Sequence, residues 1–196
     1  MAAAPGLFGP VVPDGCSYRP DFVTPTEERN LTAAVAALNF SAVVMRGGVA
    51  RRRTAHFGVT YGYDARRTGP GEPLPAFLLP LRERCAAWLG IDAAEFGEAL
   101  VTEYPAGAAI GWHRDAPMFG DIAGVSLLTS CRMKFRPYVS PKDIKSASIR
   151  RTTHEVMLEP RSAYLLTDAA RRDFEHSIPP VEALRYSLTF RTLRRR

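Results

Sequence analysis

The stretch Arg185-Tyr186-Ser187-Leu188-Thr189-Phe190-Arg191, near the end of the chain, alternates polar and apolar side chains with a period of two. Such alternation predicts a β-strand whose successive side chains point to opposite faces. One face is apolar, and the other carries Arg185 and Arg191 at its two ends. An arginine on a buried strand face is costly unless it meets an anion. The pair therefore predicts a site for an anionic ligand such as a dicarboxylate, and a polar strand face exposed to solvent is the open alternative.

Strand-like segments fill the second half of the chain, whereas helix-like segments occur in the first half. Two helices are predicted, one capped by Thr26 and one over residues 75–89. Residues 1–25 are rich in Pro and Gly and predict an irregular N-terminal arm. Further strands are predicted over 40–45, 99–104, 125–129, 133–138, 151–158, 162–166 and 185–193. Two helices followed by many strands predict an α+β chain whose core is a β-sandwich or barrel.

Composition sets the class of protein. The chain has 196 residues, enough for one domain with a buried core. It carries 26 Lys and Arg against 20 Asp and Glu, a net charge of +6, and all but three of its basic residues are arginines. Arginine makes paired contacts with phosphate, so the arginine runs favour a nucleic-acid partner, although solvated surfaces could show the same composition. No apolar run approaches the roughly 20 residues that span a bilayer and no signal peptide is evident, which predicts a cytoplasmic protein.

The tripeptide His113-Arg114-Asp115 follows a predicted strand and a turn. Residues i and i+2 of an extended segment share a face, so this imidazole and carboxylate can bind one metal ion, and Trp112 is expected to point away into the core. Two histidines and one carboxylate suit Fe(II), because three coordination positions remain for a bidentate cosubstrate and dioxygen. His176 is the candidate third ligand, although a lone histidine is also typical of a structural residue.

Together these segments resemble the AlkB family of Fe(II)- and 2-oxoglutarate-dependent dioxygenases over about residues 100–191. The matching pieces, in chain order, are Tyr104-Pro105-Ala106-Gly107, His113-Arg114-Asp115, Glu175-His176-Ser177-Ile178 and the stretch from Arg185 to Arg191. The resemblance implies a double-stranded β-helix, or jelly-roll, core at about residues 98–193. N-terminal helices would pack on that core within a single dioxygenase domain over residues 26–196.

The resemblance also implies a role for each matching residue. Three residues would ligate Fe(II), namely His113, Asp115 and His176. Arg185 and Arg191 would hold the carboxylates of 2-oxoglutarate, with the Tyr104 hydroxyl as a further donor. In the implied reaction, 2-oxoglutarate is oxidatively decarboxylated to succinate by O2 while an N-alkyl carbon is hydroxylated. The hydroxylated product then releases an aldehyde and the repaired base.

Residues 46–71 occupy the position of that family's nucleotide-recognition lid. Over 51–71 the sequence mixes Arg, Gly and aromatic residues without clear periodicity, which indicates short strands or a mobile loop. In that family's mode of recognition, a flipped or single-stranded base stacks on an aromatic ring. Tyr61 or Tyr63 is the expected ring, and the open alternative is that each tyrosine only packs within the protein. Three further residues are expected to contact substrate, namely Arg51, Arg52 and Arg53.

Three positions depart from the pattern common in that family. Thr102 stands where an Asn often precedes the tyrosine by two residues. Ala116-Pro117 replaces acidic residues that follow the His-x-Asp motif in some members, and Thr167-Asp168 replaces a small pair before the distal histidine. These departures concern the cosubstrate contact and the recognition of the base.

The leading interpretation is direct repair of alkylated nucleic acid by a monomeric enzyme. Its substrates would be bases such as 1-methyladenine, 3-methylcytosine or etheno adducts in DNA, with RNA left open. The same iron and 2-oxoglutarate chemistry acting on tRNA or on a protein is a second interpretation. A third is a jelly roll that binds nucleic acid without turnover, which the set of five ionisable residues disfavours because an inert scaffold does not need them.

Overall fold

The computed structural model describes residues 12–45, 48–62, 67–140 and 152–194, which form twelve strands and three helices. The strands are β1 (Cys16–Arg19), β2 (Ser41–Met45), β3 (Gly48–Gly62), β4 (Arg67–Pro70), β5 (Phe96–Tyr104), β6 (Ile110–His113), β7 (Phe119–Leu127), β8 (Cys131–Pro137), β9 (His154–Leu158), β10 (Ala163–Leu166), β11 (Phe174–Ile178) and β12 (Arg185–Leu193). The helices are α1 (Pro25–Ala36), α2 (Leu79–Leu89) and α3 (Asp168–Arg172).

The strands form two sheets. The larger sheet has the order β1-β10-β7-β12-β5-β3-β2, with β4 paired to β3 outside that path, and the smaller has the order β6-β11-β8-β9. The strand pairs of both sheets are antiparallel. A buried cluster between the sheets contains Ile122 and Tyr164 from the larger one and Met133 and Phe135 from the smaller one. A mostly antiparallel β core with few helices agrees with the jelly-roll expectation.

The strand β12 lies in the middle of the larger sheet, between β5 and β7. It spans Arg185–Leu193, as its alternation predicts, and both of its faces are buried. Tyr186, Leu188 and Phe190 join the main hydrophobic cluster. The opposite face, which carries Arg185 and Arg191, points toward the smaller sheet and forms the floor of the candidate site.

Both longer helices cover the apolar side of the larger sheet. The helix α1 buries Leu31 and Val35, and α2 buries Leu81 and Cys85, in the same cluster as the apolar face of β12. The helices therefore leave the arginine-bearing face of the sheet to the smaller sheet. This arrangement is the one expected when amphipathic elements bury their apolar faces against one core.

The first helix begins two residues earlier than expected. Thr24, rather than Thr26, caps α1: its side chain accepts a hydrogen bond from the Glu27 amide at 3.2 Å, and Glu27 accepts one from the Thr24 amide at 2.7 Å. This reciprocal capping box satisfies two amides, and Pro25 suits the first helical position. The assignment of Thr26 as the cap was wrong because it has neither of these contacts.

Several segments differ from the expected secondary structure. Within the predicted irregular arm, Cys16–Arg19 forms the edge strand β1, which pairs with β10. The short helix α3 and the strand β11 were not predicted. Helix α3 has five residues, too few to show a helical period, and β11 places a glutamate and a histidine within its five residues, so neither has a clear hydrophobic pattern.

The expected lid segment contains one long strand and a hairpin. As far as Gly58, β3 pairs with β5 in the larger sheet, whereas residues 59–62 pair with β4. Gly58 has a φ of +83°, and a Cβ there would lie 2.4 Å from the carbonyl oxygen of Gly97, so only glycine fits this bend. The β3–β4 hairpin thus leaves the sheet at Gly58. Residues 46, 47 and 63–66 of the expected lid, Tyr63 included, lie outside the described residues.

Helix length and the cysteines complete the description of the fold. Among the helices of the described ranges, none has the length and apolar character needed to cross a membrane. The cysteines Cys16, Cys85 and Cys131 are free thiols, and two of them are buried. Burial raises the pKa of Cys16 to about 11 and that of Cys85 to about 12, so both are protonated at neutral pH.

Candidate functional site

Two histidines from neighbouring strands face each other at the smaller sheet. His113 ends β6 and is paired in register with His176 of β11, and their ring centroids lie 4.3 Å apart. Asp115 follows β6 by two residues, and its Oδ2 lies 3.6 Å from Nε2 of His176. One ligand atom from each of these three residues lies within 4.8 Å of the others. The structure therefore brings together the three residues that the sequence pattern nominated as metal ligands.

The protonation of these groups favours metal binding. Nδ1 of His113 is 2.9 Å from the carbonyl oxygen of Gly111, so a proton on Nδ1 leaves the Nε2 lone pair available. Burial lowers the pKa of His176 to about 3, which keeps this ring neutral. Burial alone would raise the pKa of Asp115, but the positive charge of Arg191 holds it below its ordinary value. Two imidazoles and one carboxylate form a donor set suited to Fe(II).

A chain of ionisable side chains runs from the surface to Asp115. Arg191 donates to Oδ1 of Asp115 at 2.6 Å and to Oε2 of Glu98 at 2.8 Å. Oε1 of Glu98 is in turn 3.0 Å from Nδ1 of His56, whose side chain is partly exposed on β3. Glu98 is 2% exposed and Arg191 is 8% exposed, so both charges depend on these contacts.

Arg185 is a fully buried guanidinium with unused hydrogen-bond donors. Its Nε donates to the Ser126 hydroxyl at 2.9 Å. Nη1 and Nη2 are buried and have no hydrogen-bond partner among the described residues. Unsatisfied buried cationic nitrogens are costly, and a carboxylate, which accepts two parallel hydrogen bonds from a guanidinium, would satisfy them. The residues present therefore fit the carboxylate of 2-oxoglutarate at this position.

Two buried tyrosines accompany Arg185. Tyr104 is paired in register with Arg185, and its ring centroid lies 5.2 Å from the guanidinium carbon. Burial raises the pKa of Tyr104 and of Tyr164, so both hydroxyls stay protonated and can donate. The positive charges of Arg185 and Arg191 oppose the effect of burial on the pKa of Tyr164.

The position of Tyr164 depends on a glycine. A Cβ at Gly124 would lie 2.2 to 2.5 Å from atoms of the Tyr164 ring and hydroxyl, closer than any side chain permits. The ring thus lies directly against the β7 backbone. The pairing of Tyr164 with Gly124 across β10 and β7 brings the two together.

Four residues of the site had not been nominated from the sequence. They are Glu98, Ser126, Tyr164 and Arg171. Glu98 precedes an apolar run on β5, and its burial follows only from its register with Arg191, so the sequence carries no local signal for it. The period-two pattern of β12 could have suggested a partner for each arginine, but not which strand supplies it.

The three arginines nominated for substrate have different surroundings. Arg53 donates to Glu103 at 2.8 and 3.0 Å and lies over the Phe40 ring, on the apolar side of the sheet. Arg51 lies against Gly107. Arg52 adjoins Arg53 on β3 and shares the face of Thr54, which is paired with Thr102, so Arg52 lies on the side of the sheet that carries the candidate site.

The other nominated positions are placed as follows. Tyr61 lies on β3, paired with Thr68 of the β3–β4 hairpin. Trp112 points away from the metal site, as predicted, but it is half-buried against the Arg136 guanidinium at 4.2 Å rather than in the core. Thr102 is buried on the site face of β5, opposite Ser187.

Comparison with known proteins identifies relatives. The model of the 2OG-Fe(II) oxygenase superfamily matches residues 15–191. The alkylated DNA repair protein ALKBH8 homolog of Arabidopsis thaliana is 34% identical over 192 residues, covering 89% of this chain and 51% of the relative. The chain thus spans about half the length of that relative.

Solved structures show the same fold. The structure of OsALKBH1 aligns with a TM-score of 0.70 at 12% identity, over 92% of this chain and 98% of that chain. An oxidoreductase of the 2OG-Fe(II) oxygenase family from Burkholderia pseudomallei aligns with a TM-score of 0.64 at 16% identity, over 92% of this chain and 86% of that chain. These two likenesses establish the fold.

Proposed function

This chain belongs to the 2OG-Fe(II) oxygenase superfamily and is AlkB-like, and from that premise we propose that it oxidatively dealkylates N-alkylated bases in nucleic acid. Members of the superfamily use Fe(II), 2-oxoglutarate and O2. The observation that carries the proposal is the placement of His113, Asp115 and His176 around one point, with the buried Arg185 on the adjoining sheet.

In this proposal the chain's own residues hold and orient the reactants. His113, Asp115 and His176 hold the metal. Nη1 and Nη2 of Arg185 bind one carboxylate of 2-oxoglutarate, and the Tyr104 hydroxyl donates a further hydrogen bond. Arg191 orients Asp115 and adds positive charge for the other end of the cosubstrate.

The metal and cosubstrate, when bound, supply the oxidation in which 2-oxoglutarate and O2 yield succinate and CO2 and one oxygen atom enters the substrate. The site's residues keep the cosubstrate carboxylates in a buried, positively charged environment. Hydroxylation of an N-methyl carbon gives a hemiaminal, which loses formaldehyde as the ring nitrogen recovers its electron pair. The unmodified base is the second product.

Three observations support nucleic acid as the substrate class. The relative at 34% identity is named as an alkylated DNA repair protein. The chain carries a net charge of +6, mostly from arginines, and positive charge supplies much of the affinity of proteins for phosphate backbones. The β3–β4 hairpin leaves the larger sheet in the segment proposed as the nucleotide-recognition lid.

A single assay tests the proposal. The purified protein is loaded anaerobically with Fe(II) and 2-oxoglutarate, air is admitted, and an oligonucleotide carrying 1-methyladenine or 3-methylcytosine is followed by mass spectrometry. We expect the loss of one CH2 per methyl group, dependent on both Fe(II) and 2-oxoglutarate. Consumption of 2-oxoglutarate without change in DNA would contradict DNA repair, and parallel reactions with methylated RNA, tRNA and a peptide mixture then identify the class.

Matched carboxylate variants test the metal assignment. Asp115→Asn should lower turnover by more than about 100-fold, because it removes a charged ligand rather than a supporting contact. It should leave binding to the oligonucleotide largely intact. Asp92→Asn changes a carboxylate that caps the turn at residues 93–95, and it should retain full turnover. Unchanged turnover in Asp115→Asn would refute the metal assignment.

A further inference from the structure

A cavity of about 370 Å³ opens beside Asp115, on the outer side of the candidate metal site. Four arginines from three separate segments line it: Arg114, Arg171, Arg172 and Arg194. We call this cavity the arginine pocket. Its volume is that of a small-ligand site, and its wall includes a predicted metal ligand, so any group bound there lies next to the reacting centre.

The arginine pocket is built on one buried guanidinium. Arg171 is 6% exposed, and it donates to the carbonyl oxygens of Ala116, Phe119 and Gly120 at 2.9, 2.7 and 2.7 Å. These bonds use Nε and Nη2, and Nη1 has no hydrogen-bond acceptor among the described residues. Arg171 therefore holds the backbone segment that follows Asp115 in place. The two N–H groups of its Nη1 remain available to a ligand.

The other three arginines differ in how firmly they are held. Arg114 lies 3.5 Å from the Tyr138 ring centroid and donates to the Arg172 carbonyl at 3.2 Å, so its guanidinium is oriented in advance. Arg172 is more than half exposed and pairs with Asp168 at 3.3 Å. No described carboxylate or carbonyl accepts a hydrogen bond from the exposed Arg194 side chain.

Among the described residues that line the arginine pocket, four arginines stand against one carboxylate, that of Asp115. Asp115 is paired with Arg191, a cation that does not line the pocket. Asp121 and Asp168 are the carboxylates that act on this region, and burial followed by the charge of Asp168 raises the pKa of Asp121. Four guanidiniums thus face two carboxylates, which predicts an anionic ligand.

We propose that the arginine pocket binds a backbone phosphodiester of the nucleic-acid strand whose base enters the metal site. This rests on the proposed function. Guanidinium groups bind phosphate oxygens through paired, charge-assisted hydrogen bonds, and such contacts set the register of a strand rather than read its sequence. A phosphate bound in the arginine pocket would lie next to Asp115 and would fix the position of the target nucleotide relative to the metal.

Binding measurements separate this role from general attraction. Arg172→Gln and Arg194→Gln remove exposed charges at the pocket, and Arg29→Gln removes an exposed charge on α1, on the far side of the larger sheet. Binding to a 1-methyladenine oligonucleotide is measured anaerobically by fluorescence anisotropy. Each pocket variant should bind roughly three- to tenfold more weakly, with the salt-dependence slope reduced by about 0.7, whereas Arg29→Gln should change neither.

Uncharged methylphosphonate linkages locate the contact. One linkage near the target base should weaken binding to the wild-type protein, and the same linkage should cost little further in Arg194→Gln, because the contact is already lost. Additive losses at every linkage, or wild-type affinity in both pocket variants, would overturn the proposal while the dealkylase assignment stands. Failure of the wild-type protein to bind or repair the oligonucleotide would instead refute the proposed function itself.

Discussion

Arg191 donates to Oδ1 of Asp115 at 2.6 Å, although 76 residues separate them along the chain. The same guanidinium donates to Glu98, 93 residues away. A predicted cosubstrate residue is thus bonded directly to a predicted metal ligand. A change in the orientation of Arg191 will therefore alter the position of Asp115, which couples the predicted cosubstrate site to the predicted metal site.

Removing the charge of Glu98 should destabilise the protein. Glu98→Gln takes away a buried carboxylate that accepts from Arg191, which should cost roughly 3 kcal/mol of unfolding free energy in urea titrations. Glu103→Gln is the matched control, because its partner Arg53 is half-exposed and water can solvate it. We expect a clearly smaller loss for Glu103→Gln. Equal losses of unfolding free energy in the two variants would show that the buried contact of Glu98 stabilises the protein no more than the contact of Glu103.

Replacing Arg185 should remove cosubstrate binding without lowering the stability of the ligand-free protein. Arg185→Met removes a buried cation with two unsatisfied nitrogens, which should offset the hydrogen bond lost to Ser126, worth about 1 kcal/mol. With Mn²⁺ in place of iron, 2-oxoglutarate at 100 times its Kd should stabilise the wild-type protein by about 2.7 kcal/mol. Arg185→Met should gain none of this in a thermal-shift assay. A wild-type response in this variant would contradict the carboxylate assignment.

Adding a methyl group beneath Tyr164 should disturb the cosubstrate site. Gly124→Ala places a Cβ within 2.5 Å of the buried Tyr164 ring, so the ring must move, at a cost of about 1–3 kcal/mol. Its affinity for 2-oxoglutarate, measured by calorimetry, should fall as well. At Gly111 an added Cβ meets no heavy atom within 4 Å, so Gly111→Ala should keep both properties. Normal 2-oxoglutarate affinity in Gly124→Ala would show that Tyr164 does not contribute to the site.

The ion pair between Glu27 and Arg84 should make the stability of the protein depend on pH in the acidic range. The hydrogen bond from Arg84, with that from the Thr24 amide, lowers the pKa of Glu27 from 4.5 to about 2. A lowered folded-state pKa stabilises the protein above the unfolded-state value, and that contribution disappears as pH falls from about 4.5 toward 2. Both side chains are over a third exposed, so solvent reduces the effect. The stability difference between wild type and Glu27→Gln should therefore shrink over that pH range, and a pH-independent difference would contradict the pairing.

Much of the fold and part of the site could be predicted from local pattern. The alternation over residues 185–191 predicted the strand β12 and its two faces. The spacing of His113 and Asp115 predicted that their side chains lie on the same face of an extended segment. The start of α1 was misplaced although the sequence carries its signals, because the Thr24-x-x-Glu27 capping box and Pro25 at the first helical position favour Thr24 over Thr26. Helix α3 was missed because five residues carry too little periodicity.

Local sequence is enough to tell which chemical groups are present and on which face of each strand they lie, because side-chain direction follows from backbone period. Tertiary structure decided which groups meet. The pairing of β6 with β11 brings His176 to His113, and the pairing of β12 with β5 brings Glu98 to Arg191. These contacts depend on sheet order and register, which arise from the packing of distant segments into one core and are not encoded in any local stretch of the chain.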